Sequence, residues 1–194
     1  MQIITISGLD GSGKSTQARL LQQYLHTRGA RTRYFNATMF SVANLLTLGQ
    51  KRSADGKTRD VTQATPWAIR LRAVALFIDA LRFRIWMSWL SGMRGVTHVI
   101  SDRYFYDTII NIAYLSKKTY MPWFRALIVR PTHAFLLSLP PDAIMTRDAA
   151  PAQGMDYLMH KDILYRDYAN TFDMHRIDGD RPQNVIADDL RTAV

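Results

Sequence analysis

The chain has 194 residues, enough for one domain built on a single filled core. Its 47% hydrophobic and 21% charged content is ordinary for a soluble globular protein and argues against long disorder. The absence of cysteine excludes disulfides and thiolate metal sites, while a formal charge of +9 favours anionic partners. The basic residues are scattered rather than gathered into Lys/Arg runs, so no nucleic-acid partner is expected. The first residues lack a basic segment followed by a long apolar run, so no signal peptide is expected either. The greasiest stretch, 67–93, is interrupted by Arg70, Arg72, Asp79, Arg82 and Arg84, and no membrane span is expected from it. Together these features point to a cytoplasmic protein.

In chain order, residues 2–7 alternate and are rich in β-branched side chains, which predicts a short buried strand. The strand runs into a glycine-rich loop and then a helix from Lys14 to about Arg28. Ala18, Leu20, Leu21, Tyr24 and Leu25 recur there at helical spacing, and Gly29 marks the stop. Residues 31–35 predict a second strand and 38–49 a helix. The polar, breaker-rich segment 50–65 predicts a mobile basic loop carrying Lys51, Arg52, Lys57 and Arg59. A long helix over 66–93 follows, then a strand over 96–101 and a helix over 104–116. Residues 119–130 read as a helical connection and 133–139 as a strand. A helix from Pro140 to Arg147, a lid loop over 148–155, a helix over 156–172, a strand over 174–178 and a helix over 182–192 complete the chain. This alternation predicts a single domain, 1–194, with a five-stranded parallel sheet covered by helices on both faces. Ligands then bind at the carboxyl ends of the strands.

The most informative segment is Gly8-Leu9-Asp10-Gly11-Ser12-Gly13-Lys14-Ser15-Thr16. It matches Gly-x-x-x-x-Gly-Lys-Ser/Thr, a pattern that arises by chance in roughly one chain of this length in a hundred. Its position between a strand and a helix is where such a loop works. Gly8, Gly11, Ser12, Gly13 and Thr16 would turn backbone N–H groups toward phosphate oxygens, helped by the helix N-terminus. Lys14 would reach the terminal phosphates and Ser15 would offer its hydroxyl to Mg²⁺, so ATP and Mg²⁺ are the expected ligands of a three-layer P-loop NTPase fold. No guanine-reading Asn-Lys-x-Asp occurs, and no Ser-His-Asp or Cys-His arrangement competes.

A second group, Asp102-Arg103-Tyr104, closes the hydrophobic run Val99-Ile100-Ser101. A strand-end Asp beside a phosphate loop can hold Mg²⁺ through water, and an adjacent Arg can bind an acceptor's phosphate. With this group the sequence resembles the thymidylate kinase family of nucleoside monophosphate kinases. Four segments carry the resemblance in the family's order: Gly8–Leu21; Leu76-Phe77-Ile78-Asp79-Ala80-Leu81-Arg82; Ser101–Thr108; and Phe135 through Arg147. The resemblance implies transfer of phosphate from ATP to dTMP, with the small-molecule nucleotide as the partner. It implies that Asp10 lies beside the acceptor and the transferred phosphate, and gives catalytic roles to Lys14, Asp10 and Arg103. Arg82 and Arg103 would bind the acceptor monophosphate with Tyr104 nearby, and Phe77 would stack on its base or belong to the core. Arg147 and residues 178–182 would lie on the adenine side, and Ser15 and Asp102 would serve the metal. The 66–93 helix is a candidate for a two-fold homodimer interface.

Three features depart from the family's pattern. The stretch Tyr34-Phe35-Asn36-Ala37-Thr38-Met39-Phe40 lacks the Arg and acid usual after the second strand. Neither Gly11-Ser12 nor the lid 148–154 contains an Arg or Lys, although the resemblance implies a catalytic arginine in one of these places. Lys161, Arg166, Arg147 and His160 are the remaining candidates. The basic loop near the expected acceptor side is the third departure. A P-loop kinase acting on another small acceptor, and a nucleotide-binding protein with little turnover, are the other readings.

Overall fold

The computed structural model describes residues 1–43, 65–93, 95–147 and 151–194. Five strands, β1 (Gln2–Gly8), β2 (Thr32–Phe35), β3 (His98–Asp102), β4 (His133–Ser138) and β5 (His175–Asp178), pair in parallel in the order β2-β3-β1-β4-β5. The first strand is central because both of its faces can be buried: Ile4 and Ile6 point one way, Ile3, Thr5 and Ser7 the other, all within 3% of full burial. The register sets Ile6 opposite Asp102 and Gly8 opposite Leu137. The ends of β1, β3 and β4 therefore meet at one edge.

Seven α-helices whose bounds are described flank the sheet: α1 (Lys14–Thr27), α2 (Ala37–Phe40), α3 (Pro66–Met93), α4 (Phe105–Ser116), α5 (Pro141–Met145), α6 (Gly154–Thr171) and α7 (Gln183–Thr192). One face packs Ile4, Ile6, Ile100, Phe135, Leu137 and Ile177 against Ala18, Leu21 and Leu25 of α1 and Ile186 and Leu190 of α7. The opposite face packs Ile3, Val99 and Leu136 against Phe83 of α3, Ile109 of α4, and Leu158 and Tyr165 of α6. Adjacent residues of one strand serve opposite cores, which is the two-residue period of a sheet buried on both sides. Fully enclosed side chains such as Ile4, Ile6, Ile100 and Ile109 each contribute about 1.5–3 kcal/mol by burial. This is the three-layer P-loop NTPase fold, as the alternation of elements predicts.

One expectation fails locally. Residues 119–130 do not form a helix: one 3-10 turn, Arg125–Leu127, is all that appears. Pro122 lacks the N–H that a helix would need there, and the Tyr168 hydroxyl takes over both backbone groups of Tyr120. Of the helix expected over 38–49, the described residues show one turn, Ala37–Phe40, capped by Asn36, then extended backbone at Ser41 and helical backbone again at Val42 and Ala43. There the Val42 N–H donates to Asp79 at 3.0 Å. The rest of that span, nearly all of the basic loop, and residues 148–150 of the lid lie outside the described residues. Among the described residues no helix is long and apolar enough to cross a membrane.

Candidate active site

The site begins where β1 ends. Gly8 has φ 146°, and a Cβ on it would sit 2.5 Å from the Leu137 carbonyl oxygen, so no larger residue fits the turn. Gly13 caps α1 in the left-handed region (φ 96°) with no side-chain cap. The first turn of the helix therefore presents backbone N–H groups at the loop. Gly11, also at positive φ, and Ser12, whose N–H donates to the Leu9 carbonyl, complete the curve. Lys14 is 5% exposed and its ammonium donates to the Leu9 carbonyl, 3.5 Å from the Ser12 hydroxyl. Burial, reinforced by Arg103, lowers its pKa to about 8 against the pull of Asp10, Asp107 and Asp102.

Beside the loop, the Ser15 hydroxyl donates to Asp102 Oδ2, which also accepts from the Tyr34 hydroxyl at 3.0 Å. Burial, and then Asp102, push the Tyr34 pKa up to about 12, so this phenol stays a donor. The other oxygen, Asp102 Oδ1, is buried with no hydrogen-bond partner. A hydroxyl, one carboxylate and an unused acceptor suit Mg²⁺, which takes few protein ligands and completes its octahedron with phosphate and water. Among the described residues no group of three His, Cys, Asp or Glu could hold a metal.

Arg103 follows Asp102 with φ 68°, one of three non-glycine residues at positive φ among those described. This conformation costs about 1–3 kcal/mol and is held by three bonds. Its N–H donates to the Ile6 carbonyl, and its carbonyl accepts from the Ala37 N–H and the Ser101 hydroxyl. The turn sends the guanidinium back across β1 to Asp10 Oδ1, while Asp10 Oδ2 accepts from the Tyr157 hydroxyl at 3.2 Å. Burial pushes the Asp10 pKa up, but Arg103 and Lys14 outweigh it, and the carboxyl stays ionised below its ordinary range. Burial acts on Arg103 in the opposite sense, and Asp10 and Asp107 hold it firmly charged.

Behind these groups Asp107 of α4 accepts from the Ser7 hydroxyl (2.7 Å), the Tyr104 N–H (2.8 Å) and the Tyr165 hydroxyl (2.7 Å). One carboxylate thus ties β1, the start of α4 and α6 together. Tyr157, Lys161 and Tyr165 follow one another at four-residue spacing on α6, forming one buried stripe toward Asp10 and Asp107. The Lys161 ammonium lies 5.4 Å from the ring centre of Tyr157 and 5.7 Å from that of Tyr114.

The other expected residues divide. Arg147 bridges the phosphate loop and the last βα turn, donating to the carbonyls of Gly11 (3.2 Å) and Gly179 (3.4 Å). Thr16 lies in the first turn of α1, its N–H on the Gly13 carbonyl. Arg82 sits apart from the phosphate loop, on Asp79 (2.9 Å), the Phe40 carbonyl (3.0 Å) and the face of the Phe40 ring. Phe77 packs on Trp123 and Phe124 at the edge of the core. Tyr104 must be corrected. It is completely buried among Phe35, Phe83, Phe105 and Tyr106, with its hydroxyl on the Val129 carbonyl, and offers no surface to a nucleotide. Sequence reasoning passed over Tyr34, Asp107, Tyr157 and Tyr165. The only advance signal was the run of tyrosines on the 156–172 helix.

A parallel sheet of this strand order, with its first βα turn shaped for phosphate, places the chain among the P-loop nucleotide kinases. The model of the thymidylate kinase family matches residues 6–175, and the chain belongs to that family of nucleoside monophosphate kinases. It is 25% identical over 190 residues to a probable thymidylate kinase of Methanothermobacter thermautotrophicus, covering 97% of this chain and 91% of the relative. A probable thymidylate kinase of Metallosphaera sedula is 26% identical over 176 residues, covering 91% and 80%. The crystal structure of thymidylate kinase from Ehrlichia chaffeensis superposes with a TM-score of 0.62 at 19% identity, over 99% of this chain and 97% of that one. That last likeness bears on the fold.

Proposed function

We propose that this protein transfers the terminal phosphoryl group of ATP to dTMP, giving ADP and dTDP. The observation that carries the reading is Arg103, fixed at the carboxyl end of β3 and turned back to Asp10 of the phosphate loop. A cation for the acceptor phosphate thereby stands next to the cradle for the donor. The N–H groups of Gly11, Ser12, Gly13, Lys14 and Ser15 would hold the β- and γ-phosphates, with the Lys14 ammonium swinging from the Leu9 carbonyl to the phosphate oxygens. Ser15 and Asp102 would hold Mg²⁺, which neutralises charge on those phosphates when bound. Arg147 and the turn at residues 178–182 would flank the adenine, and Arg82 and Phe77 would border the acceptor. An oxygen of the acceptor phosphate attacks the γ-phosphorus in line as the bond to the β,γ-bridging oxygen breaks. Catalysis comes from positioning and charge neutralisation, with no covalent enzyme intermediate.

The roles separate by mutation. Arg103→Ala raises the KM for dTMP by about 10- to 100-fold, the worth of one charge-assisted contact, and leaves ATP affinity nearly unchanged. Lys14→Ala removes ATP binding. Equal loss of both affinities in Arg103→Ala would contradict this division.

The reading extends to a homodimer through α3. Trp67, Leu71, Val74, Ile78, Ile85 and Trp89 are all exposed and recur at three- and four-residue steps or multiples of them along one face. A continuous apolar stripe of this length is suited to a second copy of itself.

A further inference from the structure

The phosphate loop and residues 148–154 carry no cation beyond Lys14, yet α6 delivers one from outside both. Lys161 is 5% exposed, and among the described residues its ammonium makes no ion pair and donates no hydrogen bond. The carboxylates around it are already engaged. Asp10 takes Arg103 and the Tyr157 hydroxyl, Asp107 takes Ser7, Tyr104 and Tyr165, and Asp162 takes Arg166 at 2.6 Å. What holds the ammonium is the pair of rings of Tyr114 and Tyr157, worth far less than the cost of removing a charge from water. Its position is nonetheless well defined. One turn before it, Tyr157 reaches Asp10; one turn after it, Tyr165 reaches Asp107. The ammonium therefore lies on the side of α6 that meets Asp10 and Asp107, within the electrostatic reach of Arg103 and Lys14.

We propose that Lys161 is a further catalytic residue, supplying the cation that meets the phosphoryl group as it passes from donor to acceptor. This deepens the kinase reading and rests on it. Anionic charge spreads over the equatorial oxygens of the group in flight, and a buried, unpaired cation interacts with it more strongly than one in water. Burial and the nearby Arg103 and Lys14 lower the Lys161 pKa to about 8, partly opposed by Asp10 and Asp107, so the ammonium is charged at neutral pH. The two rings position it without neutralising it.

The test compares the full-length protein with Lys161→Met, which keeps an unbranched side chain one atom shorter and removes the charge. Three readouts are taken: steady-state kinetics with ATP and dTMP, Tm, and the affinity for ADP–Mg²⁺ with and without aluminium fluoride, a planar mimic of the phosphoryl group that needs no acceptor. The expected result is a kcat lower by about a hundredfold or more, KM values within a few-fold, and a Tm at or above wild type. The tightening of ADP binding by aluminium fluoride is lost. A variant that keeps kcat, or keeps the tightening, overturns the proposal, as does a wild type in which aluminium fluoride adds nothing. A wild type that is idle with dTMP but loses the tightening on substitution leaves Lys161 standing and refutes the dTMP reading instead.

Discussion

Two residues at the site carry costs that the fold alone does not repay. Arg103 sits at φ 68°, where a side chain is strained by about 1–3 kcal/mol. Lys161 is 5% exposed, and among the described residues its ammonium rests on the rings of Tyr114 and Tyr157, near Asp10, Arg103, Asp107 and Lys14. The second cost can be measured through pH. The folded-state pKa of Lys161 is about 8, below the unfolded value of 10.5. Below about pH 8 both states are protonated and the penalty is present in full. As pH rises toward 10.5 the folded state sheds the proton first, and the penalty fades. Lys161→Met is therefore more stable than wild type by on the order of 3 kcal/mol at neutral pH, and the gap closes across that window. Chemical denaturation at pH 7 and pH 10 checks this, and a gap that stays constant or widens would contradict it. Asp10 and Arg103 were legible in the sequence because they belong to short motifs. Their coupling was not, because it depends on a left-handed turn that no residue type announces.

The elements meet at Asp107, whose carboxylate takes hydroxyl or amide protons from β1, α6 and the start of α4. Replacing it with alanine strands the Ser7 hydroxyl, the Tyr104 N–H and the Tyr165 hydroxyl in a dry interior. We expect a loss of about 3 kcal/mol, seen as a fall in Tm of roughly 6–12 °C. A change within 2 °C would mean that water or new partners satisfy all three groups. Periodicity located the strands and long helices well, since apolar spacing is written along the chain. It failed at 119–130, where Trp123, Phe124, Leu127 and Ile128 have helical spacing, but Pro122 and the Tyr168 hydroxyl impose another path. It also could not place Tyr157 against Asp10, 147 positions away, or Tyr165 against Asp107, 58 positions away. Those contacts are products of the crossover topology. Tyr104 shows the converse: its motif suggested a ligand, and the aromatic cluster around it claimed the ring for the core.

At the scale of the molecule, the order β2-β3-β1-β4-β5 gathers the ends of β1 and β3 and the start of α1 at one edge, which brings Lys14, Ser15, Asp102 and Arg103 together. On another surface, α3 presents its apolar stripe. Light scattering is expected to give twice the 22.2 kDa chain mass, and Ile85→Lys, at a position 71% exposed, is expected to return the monomer while remaining folded. A wild type that is monomeric at tens of micromolar would remove the α3 interface. The central claim is acceptor chemistry, because the segment from Tyr34 to Phe40 lacks the Arg and acid that the family usually places there. Its most direct test is ADP formation from ATP and Mg²⁺ with dTMP, dUMP, CMP, GMP and AMP, each measured above the rate without acceptor. Turnover with dTMP well above the other four is the predicted result. Turnover with none of them, while ATP still binds, would contradict the claim.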